Sequence, residues 1–251
     1  MKRNVNSKKV NAVTTAMRER FAKAYTMALK LIVSLALHVT MHAGKLEGIQ
    51  SVSTLSVCNP FCLARMADND SVCSHCYVQS HAYKTSLMAH LIANYIRLQK
   101  DLPNDALPII TSRYGRIESF GDTASVTQSH NYNRLIEKNS DVKFAIFSKN
   151  HDIWAKVFDM FGKPNNACFV LSSDRTNVIA DIPKHIAKYV DYVFTVFDFD
   201  YATTHNIHIN CGFRKCVQCG HCYNRGGTVY VNEILKSDAK RYEAWLKSKV
   251  A

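Results

Sequence analysis

The sequence has few prolines, few acidic side chains and no long apolar run, and each shortage excludes a class of protein. Five prolines in 251 residues, together with 47% apolar side chains, exclude a proline-rich disordered chain and indicate an ordered globular protein. The apolar run at residues 31–39 has only nine residues, too few for a helix that spans a bilayer. The N-terminus lacks the pattern of a secretory signal, because its basic segment is long and no small-residue cleavage site follows a short apolar core. We therefore expect no membrane partner and a cytoplasmic location, where thiols stay reduced and clustered cysteines bind metals.

The shortage of acidic residues leaves a strongly basic chain. Lys and Arg number 32 against 20 Asp and Glu, which gives a formal net charge of +12. Half of this excess lies in residues 1–24, where seven basic side chains accompany the single acidic residue Glu19. Such a charge favours an anionic partner, with nucleic acid or a nucleotide as the first candidate. A solvated helix face would carry the same charge, so charge alone does not identify the ligand.

Cysteine, by contrast, is abundant and clustered. Eight of the nine cysteines belong to two groups: the first cysteine group is Cys58, Cys62, Cys73 and Cys76, and the second cysteine group is Cys211, Cys216, Cys219 and Cys222. The overlapping C-x-x-C-x-x-C spacing of the second group lets successive thiolates wrap a compact iron–sulfur cube, whereas tetrahedral zinc more often takes separated pairs. Free or disulfide-bonded thiols rarely show these spacings. We predict one or two [4Fe-4S] clusters, with zinc as the alternative metal.

The order of apolar segments predicts an α/β fold with a parallel sheet, either a partial (β/α)6-type barrel or an open, curled sheet. A basic, amphipathic N-terminal helix is expected over residues 8–42, and Gly44 ends it. The predicted strands are residues 48–57, 109–120, 143–148, 168–172, 192–197 and, as a candidate sixth, 206–210. The helices between and after them are predicted at residues 77–99, 128–139, 152–161 and 232–251. The chain then divides into an N-terminal helix (1–44), an α/β core (45–210) and a cysteine-rich C-terminal segment with a helix (211–251).

Polar residues follow the predicted strands at their C-terminal ends. Cys58 follows the first strand, residues 118–122 follow the second, and residues 148–150 follow the third. The C-terminal ends of parallel strands meet at one rim of a sheet, so these residues are expected to converge on one site. A helix cap or a turn would explain any one of them, and only the series favours an active site.

Four motifs together resemble the phage gene product eighty-eight-like family. They are the pair CNPFC and CSHCY, the central RIESFGD, the strand FAIFSKN, and the terminal cysteines followed by an aromatic residue. The resemblance covers most of residues 45–223. It implies a phage protein in the cytoplasm of a bacterial host, and it implies no particular activity.

The same residues also resemble the radical S-adenosylmethionine enzymes, in which a partial (β/α)6 barrel carries a C-x3-C-x2-C loop after its first strand. Cys58 and Cys62 resemble the first half of that motif, and Cys73 and Cys76 the second half, with ten residues between the halves. The resemblance implies a cluster with one open iron that binds S-adenosylmethionine. It also implies that the second cysteine group holds an auxiliary cluster. The cofactor-binding residues that it implies, at the position of that family's Gly-Gly-Glu motif, are Glu118, Ser119, Gly121 and Asp122.

Two functions remain open from the sequence. The first is a radical S-adenosylmethionine-like enzyme of phage type that acts on nucleotides or nucleic acid. The second is a nucleic-acid-binding protein with structural zinc or closed iron–sulfur sites and no catalysis. Four thiolates on one metal would leave no position for a substrate, so the number of cysteines that share a metal separates the two functions.

Overall fold

The chain folds around one sheet of seven strands, which lie side by side in the order of the sequence. A computed structural model describes residues 7–76, 78, 84–226 and 229–250. The strands β2 to β7 are parallel, β1 pairs antiparallel with β2, and the sheet is open between β1 and β7 in the described part of the chain. The strands are β1 (Thr40–Met41), β2 (Gln50–Val52), β3 (Tyr114–Ile117), β4 (Lys143–Ser148), β5 (Ala167–Ser172), β6 (Val190–Phe197) and β7 (Tyr230–Ile234). The predicted α/β class with a parallel sheet is confirmed.

Eight α-helices accompany the sheet within the described residues. They are α1 (Ser7–Leu31), α2 (Pro60–Ala67), α3 (Thr85–Arg97), α4 (Val126–Lys138), α5 (His151–Phe161), α6 (Phe199–Thr204), α7 (Cys216–Cys219) and α8 (Ala239–Val250). Each parallel strand lies next to the preceding one, so all crossovers run in the same direction across the sheet. Because connections between parallel strands have the same handedness, the helices in these crossovers lie on the same face of the sheet.

The two faces of the sheet belong to different hydrophobic cores. On one face, Phe169 of β5 packs in the same cluster as Trp154 of α5 and the buried side of α4. On the other face, Ala145 and Val170 pack with Tyr223 and with cysteines of the C-terminal segment. This division follows from the alternation of side chains along a strand, which sends neighbouring residues to opposite faces. The helices therefore cover one face, and the second cysteine group lies against the other.

The N-terminal helix is shorter than the sequence predicts. The prediction of one helix over residues 8–42 is wrong beyond Leu31, where α1 ends. The guanidinium of Arg97 in α3 donates hydrogen bonds to the carbonyls of Leu31 and Ser34, so a distant side chain satisfies carbonyl groups at the end of the helix. Thr40 and Met41 then pair with β2. Helical periodicity cannot show a stop of this kind, because the capping group lies in another helix.

The prediction of a strand at residues 206–210 is also wrong. The end of this segment runs beside β7, where the backbone N–H groups of Asn210 and Cys211 both donate to the carbonyl of Asn232, but the isolated bridge there joins Cys211 and Glu233, outside residues 206–210. The last strand is β7, inside the segment that the sequence assigns to metal binding and a helix. The C-terminal segment therefore completes the sheet of the core.

Within the described residues, no helix combines the length and the apolar character needed to cross a membrane.

Candidate functional site

One cavity of about 1320 Å³ lies at the C-terminal ends of the parallel strands and extends over the sheet face that carries the second cysteine group. The predicted residues 118–122 after β3, Lys149 after β4 and Ser172 at the end of β5 all line it. Seven of the eight clustered cysteines line the same cavity, namely Cys62, Cys73, Cys76, Cys211, Cys216, Cys219 and Cys222. The fold therefore brings both cysteine groups and the predicted cofactor-binding segment to one place.

The first cysteine group is held by a capped helix that is tied to the strand ends. Asn59 caps α2, since its side-chain oxygen accepts a hydrogen bond from the N–H of Phe61 at 2.9 Å, and Pro60 begins the helix. The amide of Asn59 also donates to the backbone carbonyl of Asp122 at 2.8 Å. Cys62 lies one turn into α2. This arrangement fixes Cys62 relative to the segment that follows β3.

The residues between Cys62 and Cys73 are anchored to the end of β5. Ser71 accepts a hydrogen bond from the N–H of Cys73 at 3.1 Å and donates one to a carboxylate oxygen of Asp174 at 2.9 Å. Arg65 of α2 pairs with the other oxygen of Asp174 at 2.8 Å. The long insertion in the cysteine motif is thus an ordered connection, and it presents Cys73 and Cys76 to the cavity.

Cys58 is the one cysteine of the first group that is not among the described residues lining the cavity. It packs against the core between α1 and α3, and Cys76 packs against the same core. Burial raises the pKa of the Cys58 thiol to about 11, and burial together with Cys58 raises the pKa of Tyr95 in α3. The cavity therefore contains three thiols of the first group, with the spacing C-x10-C-x2-C, and not four.

Cys62, Cys73 and Cys76 lie close enough to influence one another. Burial, then the acids Asp122 and Glu118, and then Cys73 and Cys76 raise the pKa of Cys62 far above its usual range. In the described part of the chain, however, no three cysteine sulfur atoms lie within 4.8 Å of one another, and all nine cysteines are free thiols. Thiolates that share one tetrahedral zinc ion would be about 3.8 Å apart, given Zn–S bonds of about 2.3 Å. The described cysteines therefore do not form a zinc site with ligand atoms already at these distances.

The second cysteine group is built on the sheet by aromatic stacking and a left-handed turn. The rings of Tyr114 in β3 and Tyr223 stack with their centroids 4.6 Å apart. Gly220 ends the short helix α7 with φ of 64°, in the left-handed region, and so turns the chain between Cys219 and Cys222. Burial first, then the neighbouring thiols, raise the pKa of Cys222 to about 12. Burial also raises the pKa of Cys211 and Cys216, whereas Cys219 is exposed.

Replacing Gly220 by alanine is expected to disturb the second cysteine group, and Gly44 offers a matched control. Both glycines have φ of 64°, but a Cβ at Gly220 would lie 2.7 Å from the hydroxyl oxygen of Tyr114, whereas a Cβ at Gly44 would have no neighbour within 4 Å. Gly44→Ala should cost only backbone strain, about 1 kcal/mol. Gly220→Ala should cost a further 1–3 kcal/mol or so, and should lower the bound metal. Denaturant unfolding and metal analysis of both variants check this; equal stability and equal metal content would contradict it.

Glu118 combines a strained backbone with a buried, hydrogen-bonded carboxylate at the edge of the cavity. Its φ of 55° is in the left-handed region, which non-glycine residues seldom adopt, and such strain tends to be kept at functional positions. One carboxylate oxygen accepts hydrogen bonds from the hydroxyl of Thr54 at 2.8 Å, the amide of Gln128 at 2.8 Å and the phenol of Tyr132 at 2.6 Å. The other accepts only the backbone N–H of Thr54, at 3.0 Å. Burial raises the pKa of Glu118 to about 7, against the opposing effect of these donors.

Asp122 closes the same segment against β4. Its carboxylate accepts hydrogen bonds from the hydroxyl of Ser148 at 2.6 Å and from the backbone N–H groups of Thr123 at 2.7 Å and Lys149 at 2.8 Å. Burial raises its pKa although these donors oppose the shift. Asp122 is therefore a positioning residue, and like Glu118 it has one carboxylate oxygen that accepts only a backbone N–H.

Basic residues line the cavity wall, a position that the sequence alone did not give them. Arg116 of β3 stacks over the ring of Phe147 with 3.7 Å between its guanidinium carbon and the ring centroid, and its Nε has no hydrogen-bond partner. Three acidic residues, Glu118, Asp122 and Glu233, line the cavity, whereas the basic residues that line it are Lys45, Arg65, Arg116, Lys149, Arg214 and Lys236. The RIESFGD motif contains Arg116, but only the strand direction shows that its side chain enters the cavity.

No family model, no curated protein and no solved structure matches this chain. Function therefore has to follow from the chemistry of the cavity.

Proposed function

We propose that this chain is an iron–sulfur enzyme of the radical S-adenosylmethionine type, with its catalytic cluster held by Cys62, Cys73 and Cys76. The observation that carries the proposal is the single cavity in which these three thiols, and not Cys58, lie beside Glu118 and Asp122. Three thiolates leave one iron of a cubic cluster without a protein ligand, which a catalytic site requires. In such an enzyme, the parallel strands in sequential order would correspond to a partial barrel. The second cysteine group and its auxiliary cluster would lie against the inner face of the sheet.

The residues of the cavity have separate tasks in such an enzyme. When bound, the cluster and S-adenosylmethionine supply the electron and the radical chemistry, which belong to the cofactors. Glu118 would accept a hydrogen bond from the methionine ammonium through the oxygen that only Thr54 occupies, since a carboxylate oxygen can accept more than one. Ser119 and Gly121 belong to the same segment, and Asp122 holds that segment against β4 through Ser148. The cysteine-lined walls would keep water from the reacting atoms.

The basic lining of the cavity favours an anionic substrate, and a nucleotide or nucleic acid meets that requirement. Six basic residues against three acidic ones give the wall a positive excess. Arg116 already stacks on an aromatic ring, an arrangement that holds its planar guanidinium ready for phosphate or a base. We propose that the enzyme acts in a reducing cytoplasm, where thiolate-held clusters persist.

Anaerobic purification followed by iron, sulfide and S-adenosylmethionine cleavage assays tests the proposal. We expect about eight iron and eight sulfide per chain if both cysteine groups hold cubic clusters. Chemical reduction in the presence of S-adenosylmethionine should release 5'-deoxyadenosine, and Glu118→Ala should reduce that release at least about tenfold if Glu118 holds the cofactor. Two zinc ions without iron or sulfide, or iron without any cleavage, would contradict the enzymatic function.

The second candidate function is a nucleic-acid-binding protein with closed metal sites, and the second cysteine group favours it because all four of its thiols line the same cavity. Such a protein would bind single-stranded or duplex nucleic acid with an affinity that falls steeply as salt rises, because lysines and arginines displace counterions. Cleavage of S-adenosylmethionine separates the two functions, since this candidate predicts none.

A further inference from the structure

A group of metal-ligating side chains lies outside the cavity, on the surface at the start of α5. It consists of His151, Asp152 and His185. Within the described residues, it is the only set of three such side chains whose ligand atoms all lie within 4.8 Å of one another. Neither cysteine group contributes to it.

Two parts of the chain that are far apart in sequence supply these ligands. His151 and Asp152 form the first turn of α5, where the helix N-terminus favours a carboxylate. His185 belongs to the crossover between β5 and β6, which is without an α-helix over residues 173–189, all of them described. A link between these parts would hold a long irregular crossover against a helix. A link that closes a long loop stabilises the folded protein more than a link that closes a short one.

The distances within the group are close to those of a metal site. One carboxylate oxygen of Asp152 lies 3.0 Å from Nδ1 of His151 and 2.8 Å from Nε2 of His185. Around a tetrahedral zinc ion the same atoms would be about 3.3 Å apart, for metal–ligand bonds of about 2.0–2.1 Å. These two distances have to lengthen by only a few tenths of an ångström to match a shared ion, and the two histidine nitrogens lie within 4.8 Å of each other.

A second observation points to a missing partner at the same place. Nδ1 of His151 is buried and has no hydrogen bond of acceptable geometry, although the carboxylate of Asp152 is near. A buried polar atom without a partner costs free energy, and a metal ion would supply that partner. Two imidazoles and one carboxylate suit zinc, cobalt or nickel, and they do not suit calcium or magnesium, which prefer ligand sets made of oxygen.

We propose that His151, Asp152 and His185 bind one divalent transition-metal ion of the zinc class. Three protein ligands leave a fourth position for water or another small ligand. The ion holds the β5–β6 crossover to the start of α5, immediately after the residues of β4 that bind Asp122. The site does not depend on the cysteine groups or on their cofactors.

Titration with cobalt(II) tests the site in full-length protein that has been purified anaerobically with its cysteine sites filled. We expect one additional cobalt per chain, with a visible difference spectrum against the same protein without cobalt that lacks thiolate-to-cobalt absorption. His185→Ala and Asp152→Asn should each weaken binding by roughly tenfold or more, since each removes one ligand. These side chains are 53% and 65% exposed, so both variants should fold.

His208→Ala is the matched control, because His208 is also an exposed histidine and lies outside the group. It should bind cobalt as the unchanged protein does. No additional cobalt, a difference spectrum with thiolate-to-cobalt absorption, or affinities that neither ligand substitution changes would each overturn the proposal.

Discussion

Replacing Cys62 by serine is expected to remove about half of the bound iron, whereas replacing Cys58 by alanine leaves the iron content unchanged. The two cysteines are only four positions apart in the sequence, but Cys62 lines the cavity with Cys73 and Cys76, whereas Cys58 packs between α1 and α3. Cys73→Ser and Cys76→Ser should behave as Cys62→Ser does. Iron and sulfide analysis after anaerobic purification, together with the visible absorption of the cluster, measures the difference.

The contrast between Cys58 and Cys62 also decides between an open and a closed site. Cys168→Ser is a suitable control, since Cys168 is a buried thiol of β5 that does not line the large cavity. It should keep its full iron content, provided that circular dichroism shows a folded protein. Equal loss of iron in the Cys58 and Cys62 variants would mean that four thiolates share the first site, and the proposal of an open iron would then be wrong.

Replacing Glu118 by alanine is expected to lower the free energy of unfolding by about 3–5 kcal/mol, a large effect for one substitution. The carboxylate accepts four hydrogen bonds, and its loss leaves buried donors of Thr54, Gln128 and Tyr132 without their acceptor. Denaturant unfolding at constant metal content measures the loss. Glu137→Ala, at an exposed position on the same helix as Gln128 and Tyr132, should cost less than about 0.5 kcal/mol.

The same carboxyl group predicts a pH dependence that Glu118→Gln should remove. Burial raises the pKa of Glu118 from 4.5 to about 7, so the folded protein keeps a proton that the unfolded chain releases in this range. The stabilising contribution of Glu118 is fully present below pH 4.5 and is lost as the pH rises through 7. The loss amounts to about 3 kcal/mol at 1.36 kcal/mol for each pKa unit.

His38 and His42 change stability in the opposite direction, so the effect of Glu118 has to be measured as a difference. Burial lowers the pKa of each histidine to about 4. The contribution of the two histidines to the free energy of unfolding is therefore lost as the pH falls from 6.5 to 4. Unfolding of the unchanged protein and of Glu118→Gln at pH 5, 6, 7 and 8 should give a difference that changes by several kcal/mol in total. A difference that is constant with pH would show that Glu118 is ionised throughout.

The parts of the fold that the sequence predicted well are the central ones. The strand at residues 143–148 and the helices near residues 128–139 and 152–161 lie within a few residues of β4, α4 and α5. Their apolar residues are periodic because each element buries one face against its neighbours along the chain. The end of α1 and the last strand were not predictable in this way, since Arg97 caps the first and pairing with β6 creates the second.

The sequence by itself predicted the two cysteine groups as metal ligands, and it placed polar residues after the strands of an α/β protein. The spacing of the cysteines and the order of the strands can both be read along the sequence. Only the tertiary structure separated Cys58 from Cys62, placed Arg116 in the cavity, and brought His185 to His151. These positions depend on the path of each crossover and on the face of the helix or strand to which a residue belongs. The local sequence does not determine either of these properties.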